Sequence, residues 1–350
     1  MTAYSHDLAV VIGRFQPFHN GHARLLAHAL RTAPRVTVVL GSARGARSPK
    51  NPFSWQERAA MIAASLDAAD RARVTFAPVR DRYDDARWAA DVRAAVPDGA
   101  RVALVGHDKD ASSYYLRHFP HWDLTPMPDV VPLDATHIRD VLFGSADPAA
   151  ALAALADDVP AAVELYLRDW LACPVHAALA DEYRALRKYH AAWQSAPYAP
   201  IFVTVDAVVR AAGHVLLVQR GRAPGKGTWA LPGGFLDPHE RVLDAALREL
   251  EEETRLTVAP SALTDVRVFD HPDRSLRGRT ITHAHAFDLH TATLPAVQAA
   301  DDAAAARWVP IADLVDMEET FHEDHFHILV TMLGLAPPLL PSVLGTSLPA

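Results

Sequence analysis

The chain has 350 residues, 34 basic and 42 acidic for a formal charge of −8, and half of its residues are apolar. That balance suits a soluble globular protein with room for two domains, and it offers no general attraction to nucleic acid. A single cysteine excludes an internal disulfide, and no apolar run is long enough to cross a bilayer, so a cytoplasmic protein with neither signal peptide nor membrane partner is expected.

In chain order, Leu8–Ile12, Val36–Leu40, Val74–Ala77 and Val102–Val105 are short apolar runs of the kind found in strands buried on both faces. Helical patterns lie between them, the first from Gly21 to Thr32, and Ser54-Trp-Gln-Glu57 is a capping-box start for another. Alternating strand and helix predict a parallel sheet with helices on both faces, whose ligands sit beyond the carboxyl ends of the strands. Residues 13–22, 41–58 and 106–110 therefore border one crevice. Within it, Phe18-His19-Asn20-Gly21-His22 sets two imidazoles about a glycine at the mouth of a helix. Ring and backbone N–H groups at such a helix start suit phosphate oxygens. Asp134-Ala-Thr-His-Ile-Arg139 opens a later helix, with Thr136 and Arg139 able to hold phosphate charge.

The first of these segments resembles the His-x-Gly-His signature of the nucleotidyltransferase superfamily, and the second its Ser/Thr-x-x-Arg element, with Ala135 where a serine is usual. The resemblance implies a Rossmann-like α/β domain that brings an ATP or CTP α-phosphate to an attacking phosphate. In that reading His19, His22 and Arg139 are catalytic. Gly13-Arg14-Phe15-Gln16-Pro17, the stretch from Arg47 to Arg58, and Gly106-His-Asp108-Lys-Asp110 together resemble nicotinamide-mononucleotide (NMN) adenylyltransferase, in the form fused to a Nudix domain. That resemblance implies nucleotide-binding roles for Gly13, Arg14, Phe15, Gln16, Asn51, Arg58, Gly106, Asp108 and Thr136, and a cover for the nicotinamide ring in Trp55. Plainer readings stand beside these: Trp55 can pack its own helix, and Arg58 can pair with a carboxylate.

From Pro160 to about Ser195 the pattern is helical, and Ser195-Ala-Pro-Tyr-Ala-Pro200 disfavours its continuation. The expected division is a transferase domain over 1–190, a linker over 191–200, a second domain over 201–340 and a loosely ordered tail over 341–350. Tyr183, Tyr189 and Trp193 are expected to be packing groups at the domain interface. Ile201–Val209 and His214–Val218 read as two strands joined by a turn ending at Gly213, and Trp229–Leu231 leads into a Gly233-Gly234 turn. In the helix that follows, Glu249, Glu252 and Glu253 share one face, while Leu243, Ala246, Leu247 and Leu250 anchor a neighbouring one. Carboxylates so close repel unless a cation lies between them, and oxygen-only donors suit Mg²⁺ or Mn²⁺.

Gly234, Glu240, Arg248, Glu249, Leu250, Glu252, Glu253 and Leu256 match the Nudix box, with Arg255 in the place of its last glycine, where a left-handed turn is usual. The resemblance implies an α+β sandwich carrying a diphosphate hydrolase. Glu249, Glu252 and Glu253 would hold the metal with Glu240 as a further ligand, Glu252 and Glu253 would be catalytic, and Arg248 would orient Glu252. Arg277 and Arg279 flank Gly278 in a polar loop, a layout suited to an anionic substrate or simply to solvent, and likeness to ADP-ribose-cleaving Nudix enzymes favours the first. Arg220, Arg222 and Lys226 stand in the same position. Phe321–His327, rich in His and acid, matches no zinc signature, and Glu323 or Asp324 is a candidate base.

Together these resemblances imply a bifunctional enzyme of NAD metabolism, with ATP, NMN and ADP-ribose as its partners and a homo-oligomer left open. Two rivals remain: a different nucleotidyltransferase, such as a pantetheine-phosphate adenylyltransferase, fused to a Nudix hydrolase of other specificity, or a Nudix domain that senses a nucleotide without cleaving it.

Overall fold

A computed structural model describes residues 4–97, 101–106, 117–127 and 134–348. The chain divides into two compact units, Met1–Ala180 with Pro338–Ala350, and Asp181–Pro337. The first runs β1 (Leu8–Gly13), α1 (Asn20–Thr32), β2 (Val36–Leu40), α2 (Trp55–Ala64), α3 (Ala68–Arg71), β3 (Val74–Pro78), α4 (Asp85–Ala94), β4 (Val102–Gly106), β5 (Asp123–Pro126), α5 (Ala135–Gly144), α6 (Pro148–Leu155), α7 (Ala161–Leu171) and the start of α8 (Pro174–Ala192). The apolar runs form strands because both faces are covered: β2 and β4 are buried throughout. Leu8, Val10, Val39 and Leu104 share a core with Trp88 and Phe119. Burying each such side chain contributes roughly 1.5–3 kcal/mol.

The parallel strands lie in the order β3-β2-β1-β4-β5. The order reverses at β1, so the expected crevice lies beyond the carboxyl ends of β1 and β4. Ser54 caps α2 and Glu57 reaches back to the Ser54 N–H, completing the capping box.

The second unit contains β6 (Phe202–Ala211), β7 (His214–Arg220), β8 (Trp229–Ala230), β9 (Gly233–Phe235), α9 (Val242–Thr254), β10 (Leu263–Phe269), β11 (Thr280–Asp288), β12 (Ala303–Pro310) and α10 (His325–Leu333). Its mixed sheet runs β10-β11-β6-β7-β12, with β8 on β7 and β9 on β6. Alternate residues of β6 serve opposite faces. Ala207 and Val209 meet Leu250 of α9, while Val208 meets Ile328 and Leu329 of α10. The sheet is therefore a sandwich filling between helices, as the α+β reading expects. Arg255 ends α9 in the left-handed conformation at φ 56°, a position glycine would occupy at lower cost.

Two expectations are corrected. The division falls inside α8, ahead of the proline-containing stretch 191–200. The reason is contact: Glu182 accepts the Gly225 and Lys226 N–H groups, and the Tyr189 and Trp193 rings lie 5.8 and 5.2 Å from that of Phe202. The tail is not loosely ordered through its length, because Val343–Leu344 forms β13, antiparallel to β3. Arg80 donates to the Pro338 carbonyl just before it. Among the described residues no helix is long and apolar enough to cross a membrane.

Candidate active sites

In the N-terminal unit, His19 has extended backbone and caps α1 through its own ring: Nδ1 accepts the Gly21 and His22 N–H groups at 3.1 and 3.4 Å. With Nδ1 an acceptor, the network assigns the neutral ring its proton at Nε2, which becomes the donor. His22 stacks on His19 with ring centroids 3.6 Å apart, and Phe15 meets His22 edge-on at 4.8 Å. Phe15 is buried at a positive φ of 52° and its ring lies against Gly13, where a Cβ would leave only 3.0 Å. Thus Phe15, seated against Gly13, supports the His22 ring.

Arg139 joins the two sequence motifs. Its Nη1 donates to the Gln16 carbonyl at 2.8 Å and its Nη2 to Thr136 Oγ1 at 3.1 Å. Burial lowers its proton affinity, and the nearby Arg14 guanidinium lowers it further, although Asp134 and Asp140 oppose this. Such a pocket of crowded positive charge favours an anion. Asp134 caps α5 and already accepts the Thr136 N–H, which holds its carboxyl below the usual range. The α5 start is therefore less open to phosphate than the motif alone implies.

Two residues expected to bind substrate are scaffolding instead. Gln16 is 2% exposed, and its side-chain amide exchanges hydrogen bonds with the backbone of Phe53 at 2.9 and 3.0 Å. Arg58 is fully buried and spends its donors on the carbonyls of Arg14 (2.6 Å), Gly41 (2.7 Å), Ser42 (3.4 Å) and Ser54 (3.2 Å). It ties together the loops after β1 and β2, with four of its five N–H donors on backbone carbonyls. Asn51 keeps a buried Oδ1 with no hydrogen-bond partner, while Trp55, the first residue of α2, is half-buried. Gly106 ends β4, and Asp108 lies outside the described residues.

In the C-terminal unit, a cleft is lined by Gly233, Gly234, Glu253, Asp302, Arg220 and Arg277, among others. The Gly233 N–H donates to Glu253 Oε2 at 3.0 Å. A Cβ on Gly234 would collide with the Glu249 carboxylate, and one on Gly233 with the Val205 carbonyl. Gly233 is thus required by its approach to backbone, whereas a side chain at Gly234 would displace the Glu249 carboxylate.

Arg248 gathers the acids: it donates to Glu240 at 2.7 and 3.0 Å, to Glu249 at 3.0 Å and to Glu252 at 2.8 Å. The expected Arg248–Glu252 link is present. Glu240 is held below its usual range by Arg248. Burial pushes Glu249 up, and pushes Glu253 up to about 9, with Asp302 adding to the rise. Among the described residues no three acids or imidazoles close around one point. The donor set still fits a hard divalent cation: oxygen ligands only, with the buried Glu253 carboxylate beside Asp302, where a cation would offset the charge of the ionised pair.

Arg277 reaches the cleft with its guanidinium 5.0 Å from the Phe235 ring centroid, whereas Arg279 donates to the Asp270 carbonyl away from it. Arg220 lines the cleft; Arg222 and Lys226 do not. Sequence reasoning missed Asp206, Arg274, Asp302 and His325, which also line it. Asp206, an acid within the buried run of β6, was the one with a local signal. Its Oδ2 accepts the Thr282 hydroxyl at 2.6 Å. Asp302 had none, since its role is set only by its approach to Glu253.

Comparison with known proteins gives the class. Residues 10–125 match the cytidylyltransferase-like family and residues 200–331 the NUDIX domain, so a nucleotidyltransferase unit precedes a Nudix unit. A nicotinamide/nicotinic acid mononucleotide adenylyltransferase from Acinetobacter baylyi is 39% identical over 145 residues, which are 40% of this chain and 77% of that protein. An ADP-ribose pyrophosphatase from Methanocaldococcus jannaschii is 36% identical over 112 residues, 32% of this chain and 63% of that protein. The crystal structure of a bifunctional NMN adenylyltransferase/ADP ribose pyrophosphatase from Francisella tularensis, complexed with AMP and a Mn ion, is 34% identical with a TM-score of 0.85, covering 94% of this chain and 99% of that one. The chain belongs to this family of bifunctional NMN adenylyltransferase/ADP-ribose pyrophosphatases.

Proposed function

We propose that the chain is a cytoplasmic bifunctional enzyme that makes NAD and pyrophosphate from ATP and NMN in its N-terminal unit, and hydrolyses ADP-ribose to AMP and ribose 5-phosphate in its C-terminal unit. The observation carrying both halves is the likeness, over 99% of that chain's length, to the bifunctional Francisella enzyme.

In the first reaction a phosphate oxygen of NMN attacks the α-phosphorus of ATP, and the bond to pyrophosphate breaks. The residues contribute position and charge, as phosphoryl chemistry requires. His19, with Nδ1 occupied by two backbone donors, offers its Nε2 proton to a phosphate oxygen. His22, stacked on it, offers a second polar ring edge. Arg139 and Arg14 draw the charge developing on the leaving pyrophosphate, and Asn51 offers a buried acceptor to the other substrate.

In the second reaction Arg277 and Arg220 hold the diphosphate, while Glu249, Glu252 and Glu253, with Glu240 as a further carboxylate, would hold Mg²⁺ or Mn²⁺. When bound, such a cation neutralises diphosphate charge and makes phosphorus easier for water to attack. Arg248 bridges Glu249 and Glu252 through one nitrogen and so orients both, and the Gly233 N–H orients Glu253.

The test is a product assay with NMN plus ATP and, separately, with ADP-ribose, each with and without Mg²⁺ or Mn²⁺. NAD and pyrophosphate are expected from the first, AMP and ribose 5-phosphate from the second. Glu252→Gln should abolish hydrolysis and leave synthesis intact. Failure of NMN where another phosphate acceptor succeeds would replace this reading with the rival transferase. ADP-ribose bound but never cleaved, with Glu252→Gln changing nothing, would favour the sensor.

A further inference from the structure

The segment His322–His325 touches both walls of the hydrolase cleft. Its first wall is the glycine turn: His325 Nδ1 accepts the Leu231 N–H at 3.0 Å. Its second is the loop 274–277. Asp324 grips Arg274 through two bonds of 2.9 Å, with both side chains almost wholly buried. Glu323 Oε1 accepts the Ser275 hydroxyl at 2.9 Å and the Leu276 N–H at 2.7 Å. Ser275 Oγ in turn accepts the Arg277 N–H at 3.2 Å, and Glu323 Oε2 lies 4.0 Å from Arg277 Nη2. Glu323 itself has a positive φ of 43°, a conformation that a non-glycine residue keeps only where its surroundings enforce it.

We propose that Glu323 is a positioning residue: through Ser275 and Leu276 it fixes the loop that presents Arg277 to the diphosphate, and it is not the base that activates water. The second clause follows from its surroundings, since one oxygen already serves two donors and the other lies between the buried His322 ring, its Nε2 3.5 Å away, and the Arg277 guanidinium. This rests on the reading of the cleft as an ADP-ribose hydrolase, whereas the loop-holding role is open to a test of its own.

The full chain is compared with Glu323→Gln, Glu323→Ala and Arg277→Ala. Glutamine keeps an acceptor for both donors, so its KM and kcat for ADP-ribose should stay within about threefold of the parent. Alanine should raise KM about tenfold with kcat nearly unchanged, and adding it to Arg277→Ala should cost little more. Hydrogen exchange at the Leu276 amide should accelerate in Glu323→Ala and not in Glu323→Gln, whether or not any substrate is present. A retained cooperative melting transition of the C-terminal unit checks that the variants fold. Equal loss of kcat in both Glu323 variants, with loss of the acidic limb of the pH–rate profile, would identify a base and overturn the proposal. Unchanged Leu276 exchange in Glu323→Ala would overturn it too. A parent enzyme that leaves ADP-ribose intact would instead defeat the substrate reading, with the exchange result still deciding the role of Glu323.

Discussion

Replacing Arg58 by Met removes a buried charge while nearly keeping its volume, so the loss is of hydrogen bonds rather than of packing. Of the four bonds, those to Arg14 and Gly41 are short, that to Ser42 is long, and the Ser54 carbonyl keeps its helical partner, the Arg58 N–H. Two bonds from a charged donor contribute about 3–6 kcal/mol together. Against this, burial has already lowered the Arg58 pKa from its ordinary value to about 10. Relief of that burial returns about 3 kcal/mol, taking about 1.4 kcal/mol per unit of pKa. The net expectation is about 1–2 kcal/mol of destabilisation, or ~2–8 °C in the melting of a unit this size. Because the freed loops carry Arg14 and border the crevice, KM for ATP should rise as well. Calorimetry, followed by initial rates of NAD synthesis and of ADP-ribose hydrolysis, measures all three quantities. Arg58→Lys should fall between parent and Met, since an ammonium cannot span all four carbonyls. An Arg58→Met protein with unchanged melting and unchanged KM for ATP would refute the scaffold role.

Replacing His22 by Ala removes the ring stacked on His19 and should lower the kcat of NAD synthesis by about 10²–10³-fold, with hydrolysis untouched; equal loss of both activities would contradict independent sites. Glu253 rises from 4.5 to about 9, so without divalent cation the folded unit keeps a proton that the unfolded chain gives up. Stability of that unit is then greatest at low pH and falls as pH climbs toward 9. Calorimetry in EDTA should find its transition lower at about pH 8 than at about pH 6, with Mn²⁺ reducing the difference; a rise with pH would count against the buried acid. Deleting residues 338–350 uncovers the β3 edge and removes the Arg80–Pro338 bond. It should cost the N-terminal unit about 1–3 kcal/mol and leave ADP-ribose hydrolysis intact, and an unshifted melt would mean that β13 contributes nothing.

What the sequence determined by itself was carried by neighbours along the chain. Apolar runs announced strands covered on both faces, Ser54 and Glu57 a helix start, and Glu249, Glu252 and Glu253 one face of α9. His19 and His22 fall under the same rule, because the first turn of α1 brings the cap residue and the residue three further on together. Tertiary structure decided whatever depended on partners distant in sequence. Arg58 reads alike as a ligand or as a clamp until the carbonyls of Arg14 and Gly41 are seen around it. Ala303–Ala306 belongs to a residue type that favours helix, yet pairing with β7 makes it strand. Val343–Leu344 is strand only because β3 offers an edge. Asp302, Arg274 and His325 enter the cleft by the same route. Periodicity and capping are short-range and survive in one dimension, whereas burial and hydrogen-bond partnership belong to the assembled chain.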